Sequence, residues 1–113
     1  MNNEKVKDVD AAIRIMSEAY DKESIKSWEG VIQLIITGQE ECRISIINKS
    51  GNIGIKKTKN KNPDVIIQME DKDFFSIVNG EKTGTQLFYE KKADVDGNFE
   101  ILFKFEQAFA HKQ

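Results

Sequence analysis

The spacing of apolar positions changes along the chain, and each change marks an element. Near the start, Val9, Ala12, Ile13, Met16 and Tyr20 share one stripe, with Arg14, Ser17 and Glu18 on the other side. That spacing predicts an amphipathic helix from Val9 to about Tyr20, with Asp8 placed to cap it. A short helix through Ser24 to Trp28 is ended by Gly30. From Val31 the period falls to two. Val31–Thr37 sets Ile32, Leu34 and Ile36 against Val31, Gln33, Ile35 and Thr37. Cys42–Asn48 sets Ile44 and Ile46 against Arg43, Ser45 and Ile47, and Asn52–Lys57 sets Ile53 and Ile55 against Gly54 and Lys56. Such alternation predicts strands of an antiparallel sheet with one wet face. Asn48-Lys49-Ser50-Gly51 reads as the turn of a hairpin. A polar loop, Lys57–Pro63, then leads to a fourth strand, Val65–Met69.

Helical spacing returns at Asp71. This residue is placed to cap a short helix that carries Phe74, Phe75, Ile77 and Val78 and is closed by Gly80. Thr83-Gly84-Thr85-Gln86 has the form of a capping box and opens a helix with Leu87, Phe88 and Tyr89. Ala93–Asp96 predicts a fifth strand, and Gly97 turns the chain into a last helix from Asn98 to about His111. There Phe99, Leu102, Phe103 and Phe109 form one stripe, which Ile101, Phe105 and Ala108 widen. Only Glu100, Lys104, Gln107 and His111 make a consistently polar line. An ordinary surface helix hides a stripe of roughly 100° or somewhat more, and this one is wider. Two readings stay open: the wall of an apolar cavity for a lipid-like ligand, or a packed core or patch that buries itself in a dimer.

Composition fits a sheet built early and covered late. All seven Phe fall between Phe74 and Phe109, while Ile dominates the middle of the chain. With 113 residues, one Pro and no repeat, the chain reads as one domain over residues 1–113. Lys plus Arg number 17 against 19 Asp plus Glu, a net charge of −2, which gives no domain-wide basic footprint for nucleic acid. Lys49, Lys56, Lys57, Lys59 and Lys61 nevertheless cluster on the hairpin and its following loop. They read either as a solvated sheet edge that blocks aggregation or, through Lys56, Lys57 and Lys59, as a transient contact with anionic membranes. No aromatic interleaves them as a stacking platform for nucleic acid requires.

No apolar run exceeds three residues, so neither a membrane span nor a signal-peptide core is expected. The single Cys42 excludes an internal disulfide, and with the lone His111 it leaves too few ligands for structural zinc. These features predict a cytoplasmic protein with no cofactor and no metal. As nucleophile and base, Cys42 and His111 lack a third orienting group. Asp94, Asp96 and Tyr89 have the residue types of a small isomerase site. Alternating carboxylates on a short strand more simply mark its wet face.

The stretch from Asp64 through Val65-Ile66-Ile67-Gln68-Met69 and Asp71-Lys72-Asp73-Phe74 to Gly80 closely resembles the sterol carrier protein 2 domain. That family has a strand, an Asp-x-Asp-Phe helix start and a helix-ending Gly in this order. Leu87-Phe88-Tyr89-Glu90 and Ala93-Asp94-Val95-Asp96-Gly97-Asn98 are similar to its next helix and to its last strand with a Gly-Asn helix entry. Trp28-Glu29-Gly30-Val31-Ile32-Gln33 resembles the first strand of short prokaryotic members. The resemblance implies an α/β fold, with a five-stranded, mostly antiparallel sheet covered by helices and an apolar tunnel between the layers. It implies binding or transport without catalysis of a fatty acid, acyl-CoA, phospholipid or sterol-like ligand. Carried over by position, Phe74, Phe75, Val78, Leu87, Phe88, Phe99, Leu102, Phe103 and Phe105 are the expected lining.

Glu90 stands where the family usually has Gln, and Lys91 where it often has Gly. A carboxylate at an apolar mouth disfavours fatty acids unless Lys91 or Lys92 compensates. Thr83-Gly84 replaces the more usual Asn-Pro, and Ala110-His111-Lys112-Gln113 is not the Ser-Lys-Leu type that addresses members to peroxisomes. The first departure loosens that loop, and the second points to a short, untargeted cytoplasmic form and away from sterol as the natural ligand. The alternative from a different class is a non-liganded interaction module, its aromatic face buried in a homodimer or a partner.

Overall fold

A computed structural model describes residues 5–109. In chain order it contains α1 (Val9–Glu18), a one-turn 3-10 helix (Ser24–Ser27), β1 (Gly30–Thr37), β2 (Cys42–Lys49), β3 (Asn52–Lys56), β4 (Val65–Glu70), α2 (Asp71–Val78), α3 (Gly84–Tyr89), β5 (Ala93–Gly97) and α4 (Phe99–Phe109). The sheet order is β3-β2-β1-β4-β5. β1 runs parallel to β4, and the other neighbours pair antiparallel. The α/β fold with its mostly antiparallel, five-stranded sheet is thus as the sequence predicts. The expected extension of the last helix to His111 lies outside the described residues.

Local chemistry sets the element ends. Asp8 caps α1 by accepting the Ala11 N–H at 2.8 Å, and Thr83 and Gln86 form the reciprocal capping box that opens α3. Ser50 and Gly51 have φ of 54° and 78°, and Lys49 pairs with Asn52 across them. The turn is therefore the two residues Ser50-Gly51, a form whose twist suits a hairpin, and Asn48 and Lys49 belong to the strand. Asp71 does not cap α2. β4 continues to Glu70, and Asp71 occupies the first helical turn, where its carboxylate accepts the Lys72 and Glu40 N–H groups at 2.8 and 2.9 Å. It thereby ties the β1–β2 loop to the start of the helix.

One sheet face is expected to be wet, and the topology alters that. To reach β4 from β3 the chain passes over β2 and β1, on the face opposite the helices. Gln33 and Ser45 lie beneath this crossover and are buried. The Gln33 amide donates to the carbonyls of Ile44 and Thr58 at 3.0 and 3.1 Å and accepts from the Asn60 N–H. Ser45 donates to the same Thr58 carbonyl at 2.8 Å. Polar side chains on that face thus satisfy backbone groups of a loop that would otherwise be buried unpaired.

The core lies on the other face. Ile32, Ile44 and Ile46 are fully buried there together with Val9 and Ala12 of α1, Phe74 of α2 and Leu87 of α3. At the far edge Gly97 has φ +123°, and a Cβ at this position would collide with the carbonyl oxygen of Asp64 and the Cα of Val65. Only glycine fits this approach. Asn98 then donates its N–H to the Asp64 carbonyl at 2.9 Å and caps α4 through its side chain, accepting from Glu100 at 2.9 Å and Ile101 at 3.2 Å. This junction sends α4 back across the helix-covered face.

Candidate ligand-binding site

Between sheet and helices lies a cavity of about 280 Å³. Its floor is Leu34, Ile67, Met69, Ala93 and Val95, the inward positions of β1, β4 and β5. Ile15 and Met16 of α1 with Ala19 at its C-terminal cap, and Phe74, Ile77 and Val78 of α2, form two walls, and Leu102, Phe105 and Phe109 of α4 form the third. Gly80, Lys82, Thr83 and Gly84 close one end on the α2–α3 loop, beside Glu106.

Among the described residues, Lys82 and Glu106 are the ionisable groups on this lining, and both are already engaged. Lys82 pairs with Glu90 at 2.9 Å. Glu106 accepts the N–H and the hydroxyl of Thr85 at 2.7 and 2.6 Å, which joins α4 to α3. Hydrogen bonding to Lys82 holds the Glu90 carboxyl below its usual range and raises the Lys82 ammonium in turn. The carboxylate at the mouth is therefore neutralised first by Lys82, with Lys92 further off at 4.0 Å, whereas the sequence points to Lys91 or Lys92.

The expected lining divides by location. Phe74, Val78, Leu102 and Phe105 border the cavity. Leu87 is wholly buried in the core beside it, and Phe75 packs on the core with its ring 6.1 Å from that of Phe74. Phe88, Phe99 and Phe103 border instead a separate groove of about 230 Å³ between α3 and α4. The rotation of α4 accounts for this. Ile101 seats on Gly30, where even a Cβ would lie 2.9 Å from its Cδ1, and the Ala108 carbonyl accepts the Asp21 N–H at 2.8 Å. These two contacts turn the Ile101–Phe105–Ala108 line inward, so the Phe99–Phe103 line faces outward. The cavity residues of α1 escape a reading centred on the Phe-rich segment. Ile15, an apolar residue on the otherwise polar side of α1, is the signal that could have found them.

The other constellations stay away from the cavity. Asp94 and Asp96 are exposed, paired across strands with Gln68 and Ile66, and Tyr89 is exposed. Burial pushes the Cys42 thiol up, the opposite of an activated nucleophile, and His111 lies outside the described residues. Lys57 is held by Asp10 at 3.0 Å, and its neighbours on the crossover are separated from the cavity by the sheet. Among the described residues no cluster of His, Cys, Asp or Glu is placed to hold a metal ion, and no helix is long and apolar enough to cross a membrane.

The chain is similar to proteins of known name. Hydroxysteroid dehydrogenase-like protein 2 of Xenopus laevis is 24% identical over 96 residues, covering 83% of this chain but 23% of that protein. The chain thus spans about a quarter of the length of the curated relatives it matches. The solution structure of palmitated SCP2L2 from Aedes aegypti superposes with a TM-score of 0.71 at 19% identity, covering 97% of each chain. The sec-alkylsulfatase Pisa1 from Pseudomonas sp. contains the same fold, with a TM-score of 0.75 at 11% identity over 89% of this chain and 16% of its own. The SCP-2 sterol transfer family matches residues 9–110. With a family match over most of its length and an SCP2-type sheet and helix layer, the chain belongs to the SCP-2 sterol transfer family.

Proposed function

We propose that the protein binds one acyl-chain lipid in the cavity between sheet and helices and carries it without altering it chemically. The observation that carries this reading is the lining: an apolar floor and three apolar walls, with polar groups gathered at one end. Leu34, Ile67, Met69, Phe74, Val78, Leu102 and Phe105 hold the chain, and the head group lies near Lys82 and Thr83. With Lys82 and Glu106 both satisfied by protein partners, the site holds no free acid, base or nucleophile among the described residues to act on a bound lipid.

Size and desolvation set the affinity. A cavity of about 280 Å³ takes on the order of nine groups at the ~30 Å³ of a water-sized group. Nine methylenes at about 0.8 kcal/mol each contribute roughly 7 kcal/mol of transfer free energy, against which the cost of immobilising the ligand is set. A linear chain can enter such a space a few methylenes at a time, whereas a rigid sterol must enter whole. The palmitated form of the Aedes aegypti neighbour supports the same choice.

Native mass spectrometry of protein purified without detergent, followed by lipid extraction, tests the reading. A co-purified lipid at one per chain, or uptake of one added fatty acid, is the expected result. A protein that stays empty in the presence of fatty acid, acyl-CoA and phospholipid, yet is a stable dimer by light scattering, supports the interaction module instead. The exposed rings of Phe88, Tyr89, Phe99 and Phe103 are the observation that favours that second reading.

A further inference from the structure

The groove between α3 and α4 is an aromatic surface that the core does not use. Tyr89 is 78% exposed, Phe103 52%, and Phe88 and Phe99 38% each. Their rings form a continuous ladder, with centroids 5.7 Å apart for Phe88–Tyr89, 5.9 Å for Phe88–Phe99 and 6.4 Å for Phe99–Phe103. Contiguous exposed rings of this kind mark a contact surface. Two further observations identify the contact. Leu102 and Gly84 border both this groove and the cavity, so a single wall separates them. At the rim Lys82 and Lys92 share one carboxylate, Glu90, at 2.9 and 4.0 Å, and Lys91 makes no ion pair among the described residues, which leaves Lys91 and the weakly held Lys92 beside Tyr89 to meet an anion.

We propose that the α3–α4 face is the surface by which the protein docks on an anionic lipid bilayer. Tyr89 and Phe103 enter the headgroup layer, Lys91 and Lys92 meet the headgroup anions, and the lipid crosses the Leu102–Gly84 wall without passing through water. The proposal rests on the reading of the cavity as a lipid site. Aromatic rings with one apolar and one wet side are suited to the bilayer interface, and stable anchoring takes an apolar and a cationic contribution together. A second copy of the chain fits less well. A two-fold contact would bury the rings but gives the unpaired Lys91 no anion that the structure identifies. The lysines of the β3–β4 crossover fit less well too, because the sheet separates them from the cavity.

The test uses the whole chain, as wild type, as Tyr89→Ser/Phe103→Ser and as Lys91→Glu/Lys92→Glu, each checked for folding by circular dichroism. Two quantities are read: co-sedimentation with phosphatidylcholine vesicles with and without phosphatidylglycerol, and binding of a fluorescent fatty acid in solution without vesicles. The wild type is expected to sediment with the phosphatidylglycerol vesicles. Each double variant is expected to lose about tenfold or more of that affinity, and the ring variant, which leaves the Lys82–Glu90–Lys92 cluster intact, is expected to bind the fatty acid in solution as before. Unchanged vesicle binding in both variants, or none in the wild type, overturns the proposal. So does a wild-type dimer that the ring variant dissociates with no effect on vesicles, which assigns the face to a second copy. If vesicle binding depends on Tyr89 and Phe103 but no fatty acid binds in solution, the docking surface stands and the cavity reading fails.

Discussion

The carboxylate of Glu106 on α4 accepts both the backbone N–H and the hydroxyl of Thr85 on α3, at 2.7 and 2.6 Å. Gly84 lies so close that a Cβ there would sit 3.1 Å from the same carboxylate oxygen. A charged acceptor with two donors from one residue fixes the distance between the two helices that flank the mouth. Thr85→Val removes the hydroxyl and keeps the backbone bond. It should lower stability by about 1–2 kcal/mol, read from the urea midpoint, and speed ligand release. An unmoved midpoint would mean that α3 is held by its packing alone.

Filling the cavity separates binding from folding. Val78 borders the void and is half-buried on α2, so Val78→Trp places an indole where the account puts the lipid chain. Because the space already exists, the change in stability should stay within about 1 kcal/mol, in contrast to overpacking a dense core. Fatty-acid binding should be lost. A folded Val78→Trp protein with wild-type affinity would place the ligand elsewhere.

Gln33 has a different role, on the far side of the sheet. Its amide reaches the carbonyls of Ile44 and Thr58 and the N–H of Asn60. Gln33→Leu leaves those groups without that partner, at a cost of about 2–3 kcal/mol. Trypsin should then cut more readily at Lys59 and Lys61 on the crossover. Protection equal to wild type would show that the Ser45–Thr58 contacts suffice.

The Lys82–Glu90 pair gives the mouth a pH dependence. Hydrogen bonding to Lys82 lowers Glu90 from its ordinary value of 4.5, so its contribution is present above that value and is lost as pH falls through the folded value. Lys82 is raised above 10.5 by Glu90, and its contribution is full below 10.5 and lost only as pH rises further. Both groups face solvent, so the effect is small and weakened by salt. Glu90→Gln frees Lys82 for the lipid carboxylate and should release fatty acid more slowly than wild type at neutral pH. The two proteins should converge only below the ordinary carboxylate range, once Glu90 is protonated in the wild type. A difference that persists in acid would assign the effect to something other than this charge.

The elements were legible where their cause is local. The Ser50-Gly51 hairpin, the Thr83–Gln86 capping box and the Gly97-Asn98 entry to α4 each depend on a few neighbouring residues. The motif order from Asp64 to Asn98 was enough to indicate the family. Pairings between distant segments were not legible. Nothing near Gln33 or Ser45 announces that a loop some twenty-five and thirteen residues away will cover them. The parallel pairing of β1 with β4 follows from that same crossover. The rotation of α4 depends on Gly30 and on Asp21, both far off in sequence. A seven-Phe tail therefore pointed to a lining but could not separate Phe105, which borders the cavity, from Phe103, which borders the groove.

The central claim is that the space between sheet and helices is where the lipid chain lies. Nuclear Overhauser contacts between carbon-13-labelled palmitate and the protein test it most directly. The account predicts contacts from the chain to Ile67, Met69, Val78 and Phe105, and none to Ile47 on the opposite sheet face. Contacts confined to Phe88, Phe99 and Phe103, or the absence of any contact at saturating palmitate, would contradict it.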